Sequence, residues 1–113
     1  MLAINFNKNW NGKLRNQCFT TIRLHNVSKY RIGEKYEIRL NEKPIGTATA
    51  KAIKILSLNQ LDDFTTCLDT GLDRNKTVEM LKGMYKHKVW NWETQKLDLI
   101  LLEMESPQMK LSL

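Results

Sequence analysis

The sequence predicts an α+β fold, a small β-barrel interrupted before its last strand by two helices. Three observations carry that prediction. Tyr36, Ile38 and Leu40 alternate with Glu37 and Arg39, the pattern of a half-buried strand. The run Lys96–Glu105 (KLDLILLEME) is strongly apolar, too short for a membrane, and reads as a strand central in the sheet. Between these strands, Ser57 with Gln60 and then Asp73 supply helix starts ahead of apolar residues at helical spacing.

Taken in order, Leu2 to Phe6 alternates large apolar residues with Ala and Asn and forms a short first strand. Asn7 to Asn16 is polar, rich in asparagine and broken by Gly12, so it is a loop. Trp10 within it caps the core edge, with base stacking as the alternative. Gln17 to Leu24 is the second strand. Lys29 to Glu34 is a loop whose Gly33 turns the chain into the strand Lys35–Leu40. Asn41 to Pro44 supplies turn chemistry. In the run from Ile45 to Leu56, Ala48, Ala50 and Ala52 suit a tight barrel interior while Lys51 and Lys54 face outward. Strict alternation forbids that combination, which predicts a bulge near Ala52. A first helix starts at Ser57, buries Leu58, Leu61, Phe64 and Leu68 on one face and stops at Gly71. A second starts at Asp73, carries Val78, Leu81, Met84 and Tyr85 inward and ends near His87. The tail after Pro107 carries no pattern. A chain of 113 residues with no repeat and no linker is read as one domain, residues 1–113.

The distribution of charge says more than its total. Residues 1–39 hold eight Lys and Arg against Glu34 and Glu37, while the remaining residues carry ten of each sign. The whole net charge of +6 therefore belongs to the first third of the chain. Such a face concentrates polyanions and speeds their encounter; the plainer reading is solubility. No apolar run reaches the length of a spanning helix, and Met1 to Trp10 lacks the order of a secretory signal. Cys18 and Cys67 have no metal or redox spacing, and His25 and His87 stand apart from them, so reduced thiols in a cytoplasmic protein are expected. Without HExxH, CxxC or an acidic loop, neither a metal nor a cofactor is expected.

The one sharp chemical signal is Thr20-Thr21-Ile22-Arg23. Thr21 and Arg23 share a face of their strand, where a hydroxyl and a guanidinium can jointly hold a carbonyl, a phosphate or a base edge. The competing reading for Arg23 is a salt bridge to Asp69 or Asp73. Cys18 as a nucleophile competes with a partly buried strand thiol. Trp90 and Trp92, two residues apart, either form a stacking platform or close the barrel edge.

The order Phe19-Thr20-Thr21-Ile22-Arg23, then Lys29-Tyr30-Arg31-Ile32-Gly33-Glu34-Lys35-Tyr36, Cys67 to Leu72, and a helix ending Met84-Tyr85 resembles the ASCH domain family of PUA-like β-barrels, over roughly residues 17 to 105. The resemblance implies a cleft beside the Thr-Thr-Ile-Arg strand that takes RNA, nucleotides or modified nucleobases. Some members are amidohydrolases of acylated cytidine that work with a lysine, a threonine and a glutamate. Thr21 falls on the threonine. The lysine is expected five residues before the arginine, where this chain has Cys18; Lys13 follows a glycine as the family's lysine does, but ten residues before Arg23. Asp69 is nearest by position to the glutamate and has a shorter reach.

The expectation is therefore a binding module. The basic segment attracts RNA, single-stranded nucleic acid or a nucleotide-like ligand, and Thr20, Thr21, Arg23, Lys29, Tyr30, Arg31, Trp90 and Trp92 contact it. The alternative is a small amidohydrolase of acylated cytidine-type nucleosides using Thr21, Asp69 and either Lys13 or Cys18. A second alternative is a protein-interaction module whose cleft is vestigial, marked by Arg23 closed off by Asp69 or Asp73.

Overall fold

The computed structural model describes residues 1–105; the tail after Pro107 lies outside them. Five strands form one sheet in the order β1-β3-β4-β5-β2, with β1 at Leu2–Phe6, β2 at Cys18–Leu24, β3 at Lys35–Leu40, β4 at Lys43–Ser57 and β5 at Lys96–Met104. Neighbours are antiparallel except β1 and β3, which run parallel. As its composition predicts, β5 is internal, paired on both edges. Gly33, with φ +88, makes the turn into β3 and donates its N–H to the Ala50 carbonyl at 2.8 Å. Asn41 and Glu42 adopt left-handed backbone and close the β3–β4 hairpin.

The sheet is curled but not closed. The register of β4 on β5 shifts between Ala50 and Ala52, where the two lysines demanded a bulge, and a second shift falls between Ile38 and Arg39. Bulges bend and twist the strand that carries them, and the buried Ala48 and Ala50 leave room for the curvature. The sheet ends, β1 and β2, meet through side chains. The Phe6 and Phe19 rings lie 5.9 Å apart edge to face, and Arg23 donates from Nη2 to the Asn5 carbonyl at 2.9 Å. No backbone ladder joins β1 to β2 among the described residues, so the β-barrel-like sheet is a half-barrel with a seam.

Each face of the sheet has its own core. The concave face buries Ile4, Phe6, Phe19, Tyr36, Ile38, Ile100 and Leu102, with Leu14 plugging the seam. The convex face buries Ile22 and Leu97 under Leu58, Leu61 and Leu81. The helices supplying that cover are α1, Asp63–Thr70, and α2, Arg74–Met84, which are inserted between β4 and β5. The Ser57/Gln60 capping box forms, but it caps only a 3-10 turn, Leu58–Gln60; the extended backbone at Leu61 and Asp62 then breaks the path and Asp62 caps α1 anew. Gly71 ends α1 in left-handed backbone, φ +79, and Asp73 caps α2, as read from the sequence. α2 ends at Met84, short of His87. The α1 apolar stripe is a correction: Phe64 and Leu68 are 76% and 64% exposed, while Thr66, Asp69 and Thr70 are buried. No helix among the described residues is long and apolar enough to cross a membrane.

Candidate functional site

The seam holds a cavity of about 140 Å3 that mixes charge with apolar surface. Four parts of the chain build it: the end of β1, the segment Trp10–Arg15, strand β2 and one side of the helical layer.

Lys13 reaches the seam because of a backbone kink. Asn11 and Gly12 both take left-handed φ values, 57° and 64°, inside the 3-10 segment Trp10–Arg15. Asparagine and glycine tolerate that region with little strain. Gly12 N–H bonds the Asn9 carbonyl at 3.1 Å, and the Asn9 side chain accepts from Leu14 N–H at 2.9 Å. The kink throws Lys13 and Leu14 inward, and Lys13 ends only 4% exposed. What reads as a polar loop is thus an ordered segment that delivers a buried cation.

Asp69 arrives from the inward face of α1. Its Oδ1 accepts from Lys13 Nζ at 2.9 Å and from the Thr20 hydroxyl at 2.7 Å. Among the described residues Asp69 Oδ2 has no hydrogen-bond partner, and every fully buried polar side-chain atom has one, so Oδ2 is not fully buried. The Lys13 ammonium uses one of its three N–H groups on Asp69. Burial pushes its pKa below the ordinary 10.5, the Asp69 carboxylate pulls it back up, and the Arg23 charge depresses it again.

Arg23 is held on two sides. Nε donates to the Thr21 hydroxyl at 2.9 Å and Nη2 to the Asn5 carbonyl at 2.9 Å, while its planar head lies 4.8 Å from the centre of the Phe6 ring. Lys13 Nζ lies 5.4 Å from the same ring, so one aromatic side chain supports both cations. No carboxylate among the described residues lies within 4 Å of the guanidinium. The expected alternative, an Arg23 ion pair with Asp69 or Asp73, is absent: Asp69 is taken by Lys13, and Asp73 caps α2 by accepting from Lys76 N–H. Nη1 keeps its hydrogens free among the described residues.

The remaining residues named from the sequence divide between two places. Thr21 lines the cavity beside Arg23, and Thr20, on the opposite face of β2, fixes Asp69. Lys29 and Tyr30 sit close enough to Arg23 for its charge to lower the pKa of each, though burial dominates both, lowering Lys29 and raising Tyr30. Cys18 is exposed at the start of β2, its Sγ 3.8 Å from Glu103 Oε2, and stands outside the cavity. Arg31 is exposed and paired with Glu34. Trp90 is 96% exposed whereas Trp92 packs against the convex-face core, so the two form no shared platform and neither lines the seam. Asn5, Phe6, Met80 and Met84 line the cavity and were not read from the sequence as site residues. The i,i+4 spacing of the two methionines on α2 was the available signal. Met84 was read as core and is 48% exposed at the cavity rim.

A second groove of about 200 Å3 on the convex face, lined by Thr20, Ala52, Lys54, Leu99 and Leu101, gathers no comparable cluster. Among the described residues no three of His, Cys, Asp and Glu come together as a metal site would require. No protein-family model, curated protein or solved structure matches this chain, so its function is argued from the seam itself.

Proposed function

We propose that the seam binds one planar, carbonyl-bearing ring, the nucleobase or modified nucleobase of a nucleotide-like ligand, in the manner the ASCH resemblance suggests. The observation that carries this reading is the guanidinium of Arg23, which lines the cavity and is anchored by Thr21 and Asn5 with Nη1 unbonded among the described residues. The size of the cavity argues for a single ring: a protein cavity of roughly 150 Å3 holds a benzene molecule, whereas sites for larger ligands run to roughly 300–1,000 Å3. Phe6, Trp10 and Met80 offer apolar surface to the ring, and Lys13 and Arg23 offer donors to its carbonyl groups.

The basic first third favours a small ligand over a long polyanion. Of its eight cations, Lys13, Arg31, Lys35 and Arg39 are already paired with carboxylates. Lys8, Arg15, Arg23 and Lys29 have no carboxylate partner among the described residues. Binding should therefore depend only weakly on salt.

Heteronuclear NMR titration with cytidine and N4-acetylcytidine tests the reading. Signals of Phe6, Trp10, Thr21 and Met84 should move together, and Arg23→Met should weaken binding at least about tenfold, the loss of one charged hydrogen bond. Shifts confined to other surfaces, or none at millimolar ligand, overturn it.

One observation favours amide hydrolysis as a second reading. Lys13, which lies ten residues from Arg23 in the chain, enters the cavity and touches Asp69. A lysine and a carboxylate in contact can pass a proton to and from a scissile amide. Release of acetate from N4-acetylcytidine, lost in Lys13→Met, is the expected result; no acetate at high protein concentration removes the reading.

A further inference from the structure

We propose that Lys13 forms an imine with an aldehyde carried by the ring in the seam, which makes a formyl-substituted pyrimidine the ligand class. The inference rests on the reading of the seam as a site for one carbonyl-bearing ring and goes beyond it in naming a covalent step.

Four features converge on Lys13. Lys13 is 4% exposed as a residue, and it lines the cavity. It shares that cavity with a second cation, Arg23, and with apolar surface from Phe6 and Met80. Desolvation and a neighbouring cation are the two conditions that turn a lysine into an amine nucleophile at moderate pH, and burial and Arg23 both lower its pKa here. Asp69 Oδ1 stands 2.9 Å from Nζ, ready to take a proton. Oδ1 is itself fixed by the Thr20 hydroxyl, so the acceptor does not swing away when the proton moves.

The step balances with these groups alone. Asp69 takes one proton from the Lys13 ammonium. The amine lone pair forms a C–N bond to the aldehyde carbon as the C=O π pair moves to oxygen, and a proton passes from nitrogen to that oxygen to give a carbinolamine. The C–O bond then breaks, the hydroxyl leaves as water with the proton held by Asp69, and a protonated imine remains beside the carboxylate. Ammonium and aldehyde become iminium and water, with no oxidant or reductant. Arg23 Nη1 holds a ring carbonyl and sets the formyl group toward Nζ.

The test is trapping of the full chain with 5-formylcytidine and cyanoborohydride, followed by peptide mapping by mass spectrometry. Lys13 should be modified at least tenfold faster than the exposed Lys43 or Lys76. An excess of cytidine should suppress the adduct on Lys13 and leave that on Lys43 unchanged. Lys13→Arg, which keeps the cation and removes the amine, should abolish trapping in the seam. Adducts spread evenly over exposed lysines, with cytidine still shifting the cavity signals by NMR, would overturn the imine and leave the binding site standing. Even adducts with no cytidine shifts would overturn both.

Discussion

The two helices lie side by side, and they obey different rules. α2 behaves as an amphipathic helix should: Leu81 is 1% exposed, and Val78, Met80 and Tyr85 pack around the same core. α1 does the reverse, burying Thr66, Asp69 and Thr70 and showing Phe64 and Leu68 to solvent. The difference follows from what each helix meets. α2 lies against the apolar convex face, whereas α1 meets the edge of β2, where Lys13 and Thr20 need an acceptor, and meets α2 through the Thr70–Thr77 hydroxyl pair at 3.0 Å. Turning Phe64 and Leu68 inward would gain about 1.5–3 kcal/mol each. It would strand the Lys13 charge at a cost of about 3–5 kcal/mol, and the hydroxyl of Thr20 at about 1–3 kcal/mol. Polar satisfaction outweighs apolar burial, and the helix is oriented by its aspartate.

The sharpest way to break that contrast is Asp69→Ala, which leaves a buried ammonium unpaired. Urea unfolding should show a loss of about 3–5 kcal/mol; a loss below about 1 kcal/mol would mean that α1 is held by something other than this pair. On α2 the corresponding anchor is apolar. Leu81→Ala should cost about 2–5 kcal/mol through transfer and cavity terms, with the slope of the unfolding curve unchanged if the fold stays intact.

Titration sharpens the comparison from the side of the charge. Burial disfavours the Lys13 ammonium, so it should lose its proton below the ordinary 10.5, as followed by NMR of its side chain. In Asp69→Asn the pull of the carboxylate is gone, and the midpoint should move further down. A midpoint that rises in Asp69→Asn contradicts the geometry. The sign for stability follows: between the lowered pKa and 10.5 the unfolded chain binds more protons than the folded one, so the contribution of Lys13 to stability grows as pH rises through that window.

The same physics decides what the sequence could disclose. The strands were legible because alternation along Tyr36–Leu40 and apolarity along Lys96–Met104 are local properties. The bulge at Ala52 was legible because Lys51 and Lys54 cannot share a face of a regular strand. Asp73 and Gly71 announced their caps for reasons confined to one helical turn. The site was half legible: Thr21 and Arg23 share a face by simple alternation, and their hydrogen bond follows from it. Lys13 and Asp69 are 56 residues apart, and their meeting depends on a left-handed kink at Asn11 and Gly12 that composition marks only as a loop. The orientation of α1 was misread because its apolar spacing is genuine; the partner that overrode it lies elsewhere in the chain. The barrel-like curl was legible in the strands, but the seam was not, because β1 and β2 meet through side chains instead of a ladder.

The helix caps should respond alike on both helices, since each is a local bond. Asp62 accepts from Thr65 N–H and Asp73 from Lys76 N–H, both at 2.8 Å; alanine at Asp73 should cost about 1 kcal/mol, and alanine at Asp62 should lower stability in the same direction. The smallest expected effect is the most telling. Phe64→Gln and Leu68→Gln retain most of the helix propensity and remove apolar groups that point to water, so each should change stability by less than about 0.5 kcal/mol. The i,i+4 spacing of the two side chains adds about 0.2–0.5 kcal/mol at most, which bounds the double variant. The same chemical change at Leu81 should cost several times more, because there a polar amide enters the core without a partner. Were Phe64→Gln to cost as much as Leu81→Gln, α1 would have to lie with its apolar stripe inward, and Asp69 could not then reach Lys13 and Thr20. Equal costs would dismantle the seam network as surely as direct removal of its carboxylate.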